Sequence, residues 1–181
     1  MPRGCSLNDS WAAGELDNQH QEVLSLIAEV AFGLAGFAVI AVALRSRQED
    51  QWPPAVRLRA QILLFSSLLP GMLALVALGL SASGIAGDTI YRGVSALWLG
   101  ASVWFTTFSV RATRNANSNS ETSLEFDTSG RVLFLLLVAV AAIQATNVAF
   151  FGLFWPLFVA FLFSLLAASN AFYRLLFLDA R

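Results

Sequence analysis

The sequence contains no lysine, one histidine and one cysteine, and each scarcity excludes a class of chemistry. A retinal protein needs a lysine for its Schiff base, so a rhodopsin is excluded. The single histidine, His20, cannot supply both axial ligands of an intramembrane haem or a His-rich metal site. The single cysteine, Cys5, allows no intrachain disulfide, thiol redox pair or iron–sulfur cluster. We therefore expect neither a metal nor a cofactor.

Charge is also scarce, because charged residues make up 13% of the 181 residues and hydrophobic residues 57%. Soluble domains carry about 25% charged residues, so this composition is typical of a protein whose solvent is the lipid bilayer. The formal net charge of −1 gives no field that would attract nucleic acid. The bilayer is therefore the first expected partner, and nucleic acid is not expected.

Five apolar segments are long enough to cross a bilayer, whose hydrocarbon core is about 30 Å thick. The last two come from one apolar block between Arg131 and Arg174, which must fold back where Asn147, Gly152 and Pro156 interrupt it. The sequence thus predicts an all-α polytopic bundle over residues 22–181, with a polar tail at 1–21 and a flexible cytoplasmic loop at 112–130. The predicted spans are residues 23–44, 60–81, 89–110, 132–147 and 153–177.

The arginines predict the orientation of the bundle. Nine of the eleven fall in segments that would share one side of the membrane, and only Arg3 and Arg92 fall on the other. Because basic residues concentrate in cytoplasmic segments, the N-terminus is expected outside and the C-terminus in the cytoplasm. The exclusive use of arginine over lysine suits a GC-rich bacterial genome, so we expect a multi-pass protein of a bacterial inner membrane.

Glu29 is the clearest ionisable residue within a predicted span. At 100° per residue it shares one face of the first helix with Ser25, Gly33 and Gly36. Ionisable groups in a membrane are costly and usually face protein or a water-filled cavity. Glu29 is therefore either a proton or cation site, or a structural anchor for a neighbouring helix that Gly33 and Gly36 allow to approach.

The third span carries a stripe of hydroxyl residues, Ser95, Ser102 and Thr106, which could line a solute or ion path. The alternative is that these hydroxyls bond to their own helix or join helices together. Arg92, near the outer start of this span, is the nearest same-side partner for Glu29 that the sequence offers.

Two other spans carry residues that predict helix packing and bending. In the fifth span, small residues at four-residue spacing predict a seam of close contact. In the second, Pro70 removes a backbone donor beside Gly71, which predicts a kink that could act as a hinge. The predicted packing residues of the fifth span are Ala160, Ser164 and Ala168.

Two functional hypotheses follow. The first is a small channel or a proton- or cation-linked transporter, homo-oligomeric, with Glu29 as its intramembrane site and any path formed between subunits or around Glu29. The alternative is a non-catalytic subunit that scaffolds a larger membrane complex. An enzyme is not expected, because no histidine or aspartate lies within a predicted span to build a catalytic triad.

Overall fold

The computed structural model describes residues 7–46, 54–119 and 128–177, with side chains placed for residues 18–43, 57–111 and 130–176. The described part is helical throughout, with short turns and no strand. A π-helical turn, Asn147–Phe151, follows the fourth helix. The helices are α1 (Leu7–Ser46), α2 (Pro54–Ala82), α3 (Gly87–Asn119), α4 (Thr128–Thr146) and α5 (Phe154–Phe177).

Each of the five helices contains an apolar segment long enough to cross a membrane, which confirms the predicted all-helical architecture. The segments run somewhat longer than the predicted spans at most of their ends. They are Asn18–Ala43, Arg57–Ala82, Gly87–Arg111, Gly130–Phe151 and Phe154–Leu176.

Two helices continue beyond the predicted boundaries. α1 begins at Leu7, so most of the segment predicted as a polar tail is helical, and α3 continues to Asn119, into the segment predicted as a loop. Polar residues there keep helical geometry because the backbone hydrogen bonds of a helix are made within the helix itself. α4 begins at Thr128, so residues 128–130 of the predicted loop are helical as well, and residues 120–127 lie outside the described residues.

Successive helices run antiparallel, which gives the bundle two distinct ends. We call one the arginine-rich end, defined by Arg57, Arg59, Arg111, Arg131 and Arg174. The opposite end is defined by His20, Ser81, Tyr91 and Arg92. At the opposite end α2 turns into α3 through Gly84, whose φ of +77° suits glycine.

The core is built mainly by α1, α2 and α5, with α2 packed between the other two. A Cβ on Gly71 would lie 3.1 Å from the Ala31 Cβ, so glycine lets α1 and α2 approach closely. Among the 18 most apolar consecutive residues of α3 and of α4, only 17% are buried. The corresponding share in the other three helices is 33–39%. The bundle is therefore a compact trio with two more loosely packed helices beside it.

Candidate functional site

A cavity of about 750 Å³ lies between α2, α3, α4 and α5 in the half of the bundle nearer the arginine-rich end. Its volume falls within the range of about 300–1,000 Å³ that is typical of small-molecule sites. Most of its walls are apolar. These apolar residues include Leu58, Ile62, Phe65, Leu69, Phe105, Val110, Leu133, Phe134, Leu135, Leu137, Phe163, Ala167 and Ala171.

Three arginines from three different helices line the cavity toward the arginine-rich end: Arg59 of α2, Arg131 of α4 and Arg174 of α5. No acidic residue is among the described residues that line it. Arginine offers several N–H donors in a planar fork, which matches carboxylate and phosphate groups. We call this region the arginine mouth.

The cavity ends inside the bundle at Trp98, and we call this its deep end. Only 1% of the Trp98 side chain is exposed. Its indole Nε1–H donates to the Ser164 Oγ at 3.1 Å, and the Ser164 hydroxyl donates to the Ala160 carbonyl at 2.9 Å. Since both polar groups are paired and the indole is buried, these two side chains leave no unpaired hydrogen-bonding group at the deep end.

Hydroxyl groups lie along the wall between these two ends. Ser102 and Thr106 of α3, both predicted from the sequence as path residues, line the cavity together with Ser66 of α2. Phe65 and Phe105 stack with their ring centroids 4.0 Å apart, which joins α2 to α3 beside the cavity. The structure thus brings together two of the three residues of the predicted hydroxyl stripe with a set of aromatic and aliphatic side chains.

The other half of α3 is held by hydrogen bonds instead. Ser95, the third residue of the predicted stripe, is fully buried and its Oγ accepts a hydrogen bond from the Asn147 Nδ2 at 3.0 Å. The same amide nitrogen donates to the Leu153 carbonyl at 3.1 Å, and the Asn147 Oδ1 accepts from the Leu153 N–H at 2.8 Å. Asn147 therefore joins α3 to the turn between α4 and α5.

That turn is a π-helical turn that ends at Gly152, which has a φ of +64°. Arg92 covers it, because its guanidinium donates to the Phe150 carbonyl at 3.3 Å. A Cβ on Gly152 would lie 2.8 Å from the Arg92 Nε and 3.0 Å from the Asp88 carbonyl oxygen, so another residue there would force a neighbour to shift. Beside it, the side-chain amide of Gln144 donates to the Pro156 carbonyl. We call Gln144, Asn147 and Gly152, with Ser95 and Arg92 against them, the polar clamp.

Glu29 lies outside this arrangement, on the exposed face of α1. Ser25, Gly33 and Gly36 are exposed on the same face, and nothing among the described residues lies within 4 Å of a Cβ built on Gly33 or Gly36. Arg92 contacts the α4–α5 turn, and no hydrogen bond or ion pair joins it to Glu29 in the described part of the chain. The structure therefore does not bring the predicted Glu29–Arg92 pair together.

The residues predicted for packing and bending in α2 and α5 are buried, whereas Gly33 and Gly36 of α1, also predicted for packing, are exposed. Ala160 and Ala168 of α5 have no exposed surface, and Ser164 is 5% exposed. Pro70 is buried within α2, which stays a continuous helix through that position, and Gly71 contacts α1. The buried residues lie at close contacts within the compact trio or against α3.

A smaller cavity, of about 430 Å³, opens at the opposite end of the bundle. His20 and Tyr91 line it and are hydrogen bonded at 3.2 Å. Between Ile90, which lines this cavity, and Trp98, which closes the larger one, lie eight residue steps of α3, or about 12 Å. Val94 and Ser95 in that interval are fully buried, so a packed layer separates the two cavities.

Sequence reasoning missed the residues that give the larger cavity its character. Arg59 and Arg131 were interpreted only as indicators of orientation. Arg174 was interpreted chiefly as an anchor at the membrane surface, with the binding of an anionic lipid or partner as the alternative, and Trp98 carried no predicted role. A usable signal was present, since Asn170 and Arg174 lie one helical turn apart and Trp98 lies deep within a span rather than at an interface.

The five apolar helices define a multi-pass membrane protein. Comparisons with protein-family models, curated proteins and solved structures find no match to this chain.

Proposed function

We propose that this protein is a small membrane transporter that binds an anionic, largely apolar solute in the cavity of the arginine-rich half. The observation that carries the proposal is the cavity itself: about 750 Å³ of mostly apolar space, with Arg59, Arg131 and Arg174 along its lining. A cavity of this kind buries the apolar part of a ligand and orients it through a few charged contacts.

The arrangement supports a carrier rather than an open channel. The two cavities lie at opposite ends of the bundle, and the layer around Val94 and Ser95 between them is fully buried. A carrier that exposes its site to one side at a time needs such a closed layer. The loosely packed pair α3 and α4 forms two walls of the larger cavity and is the part of the bundle that could move.

The lining supports binding rather than catalysis. No histidine, cysteine, aspartate or glutamate is among the described residues that line the larger cavity. General acid–base and nucleophilic catalysis depend chiefly on these side chains. Ser102 and Ser66 are present, but the lining supplies no base to activate a hydroxyl, so a non-catalytic role remains our proposal.

The test is charge movement in proteoliposomes on a solid-supported membrane, with chloride, benzoate and 8-anilinonaphthalene-1-sulfonate as the three anions. We expect currents for the two organic anions that exceed the chloride current. The variant Arg59→Gln/Arg174→Gln should lose them. Arg57→Gln/Arg111→Gln is the matched control, because it removes equal charge from the same end but alters no cavity residue. No current from the wild type, or full currents from the first variant, would contradict the proposal.

A second candidate function is a proton- or cation-linked path at Glu29 between copies of the chain. The observation that favours this candidate is that Glu29 faces outward. It lies six residues, or about 9 Å at 1.5 Å per residue, beyond Val23, where the first predicted span begins. An ionisable group in a membrane usually faces protein or water, and the described part of a single copy places no protein against this face. Homo-oligomerisation through α1 would supply both a protein surface and a path.

Proton flux into liposomes that contain a pH-sensitive dye tests this second candidate. Glu29→Gln should abolish the flux, whereas Glu22→Gln, on the same face but at the end of the span, should retain it. The scaffold alternative draws on the same exposed face. It predicts no flux from the purified protein and a stable complex with a defined partner that Glu29→Gln weakens.

A further inference from the structure

We infer that the natural occupant of the larger cavity is an acyl chain of an anionic membrane lipid, with its phosphate at the arginine mouth and its chain extending toward Trp98. The inference rests on the proposed function in one respect, because it assigns the ligand class of the same cavity. The lipid comes from the leaflet at the arginine-rich end.

The length of the cavity matches one leaflet. Ser164 at the deep end and Arg174 at the mouth are both lining residues of α5, and ten residue steps separate them. At 1.5 Å per residue this is about 15 Å, which is half of the roughly 30 Å hydrocarbon core of a bilayer. An acyl chain whose head group lies at the membrane surface therefore spans the cavity from the mouth to its closed end.

The distribution of polarity matches the same ligand. The charged lining residues, Arg59, Arg131 and Arg174, belong to the mouth, whereas Leu69 and Leu137 lie with Trp98 toward the deep end. A polar solute would leave its hydrogen-bonding groups unpaired against these apolar walls, which is costly. A phosphate at the mouth gains charge-assisted hydrogen bonds from arginine, and an acyl chain needs no partner at the deep end.

The cavity also has a route of access from the bilayer. Phe134 and Leu135 of α4 line the cavity, yet they remain 49% and 68% exposed on the bundle surface. The wall on this side is therefore one side chain thick and faces lipid. An acyl chain can enter sideways between α3 and α4 without passing its charged head group through the hydrocarbon core.

Quenching of Trp98 fluorescence by brominated lipids tests the inference. The full-length protein keeps Trp98 alone, with Trp11, Trp52, Trp104 and Trp155 replaced by Phe, in nanodiscs of equimolar phosphatidylglycerol and phosphatidylcholine. Two samples are compared, and in each only one of the two lipids carries bromine, near the end of its acyl chain. The total bromine content of the two samples is therefore equal. We expect brominated phosphatidylglycerol to quench Trp98 at least about fivefold more than brominated phosphatidylcholine, because the net negative charge that only phosphatidylglycerol carries is worth about 1 kcal/mol per arginine.

A second single-tryptophan protein supplies the control for ordinary surrounding lipid. Trp104 is 66% exposed and does not line the cavity, so both brominated lipids should quench it equally. Arg59→Gln/Arg174→Gln should remove the preference at Trp98, whereas Arg57→Gln/Arg111→Gln should keep it. Because four replacements could disturb folding, native mass spectrometry of the wild-type protein provides a second readout, with phosphatidylglycerol retained over phosphatidylcholine.

Unquenched Trp98, or equal quenching by the two lipids together with equal retention, would overturn the inference. Preferential quenching by a brominated free fatty acid over phosphatidylglycerol would also overturn it. Either failure leaves the proposed function standing when organic anions still move charge. A preference for phosphatidylglycerol without any charge movement supports the lipid site and contradicts transport instead.

Discussion

The two halves of α3 are built from similar residues and yet behave differently. In the half at the opposite end, Ser95 and Trp98 are buried and hydrogen bonded to the α4–α5 turn and to α5. In the half at the arginine-rich end, Ser102 and Thr106 face a cavity. Hydroxyl groups at helical spacing therefore do not determine whether two helices join or separate.

The difference lies in what the neighbouring helices present. Opposite Ser95 stands Asn147, whose amide both donates and accepts, so the helices are held by specific bonds. Ser102 and Thr106 line the cavity with mostly apolar side chains, and among the described residues no side-chain hydrogen bond joins either of them to another helix. Because lipid and apolar side chains solvate a helix about equally well, association in a membrane depends on these local bonds and on close packing.

The largest effect is expected from breaking the polar clamp. Asn147→Leu leaves the Ser95 hydroxyl and both backbone groups of Leu153 without their partner, which should lower the free energy of unfolding by about 3 kcal/mol. Unfolding in mixed detergent micelles measures the change. Thr146→Ala is the neighbouring control, because its hydroxyl bonds only the Ile143 carbonyl of its own helix, and a change there as large would contradict the clamp.

A matched pair of substitutions on α5 compares tight and open packing directly. Ala168 is fully buried against α1 and α2. Ala168→Leu should therefore overpack this contact and lower the free energy of unfolding by about 2 kcal/mol. Ala167, one residue earlier, lines the cavity, so Ala167→Leu should change stability by less than about 0.5 kcal/mol. Thermal unfolding in detergent compares them. Equal losses would show that the cavity is closed in the folded protein.

A pair of glycines separates backbone strain from steric contact at the clamp. A Cβ added at Gly84 would have no atom within 4 Å. Gly84→Ala should therefore lower the free energy of unfolding only by the cost of a left-handed backbone conformation for alanine, about 1 kcal/mol. Gly152→Ala has the same conformational cost and also brings a Cβ within 2.8 Å of the Arg92 Nε, so it should cost about 1 kcal/mol more. Chemical denaturation of both variants measures the difference, and identical losses would contradict a close Arg92 contact.

The smallest effect is expected at the closed end of the cavity. Ser164→Ala removes the acceptor of the Trp98 indole N–H and should cost about 0.6 kcal/mol, the average for a hydrogen bond between membrane helices. Trp98 fluorescence should shift when the bond is lost. Ser169→Ala, an exposed residue whose hydroxyl bonds only its own helix, should leave the emission unchanged.

Sequence alone was sufficient for the number of helices and for the turn between the last two. Length and apolarity define a span, and Asn147, Gly152 and Pro156 interrupt the last apolar block where the structure places the turn. The sequence alone was insufficient to predict which face of each helix packs against the other helices. In a soluble protein the apolar face points inward, but a membrane helix is apolar all round, so that signal is absent.

Two predicted faces illustrate this limit. Ser102 and Thr106 face the larger cavity, as a path residue would, whereas Glu29 faces outward. Nothing in their own spacing distinguishes the two cases, because the outcome depends on which neighbouring helix packs where. Arg131 and Arg174 meet at one cavity because α4 and α5 run antiparallel, which places residues far apart in sequence at the same end.

The short turn between α4 and α5 has a consequence for biosynthesis. Only Gly152 and Leu153 separate the π-helical turn from α5, and no charged residue lies between Arg131 and Arg174. The turn holds no charge that would keep its tip in water, and both Phe150 of the turn and Trp155 at the start of α5 are exposed, as at a membrane interface. We therefore expect the two helices to enter the membrane as one hairpin. The arginine at each end of this block then sets the orientation of both helices at once.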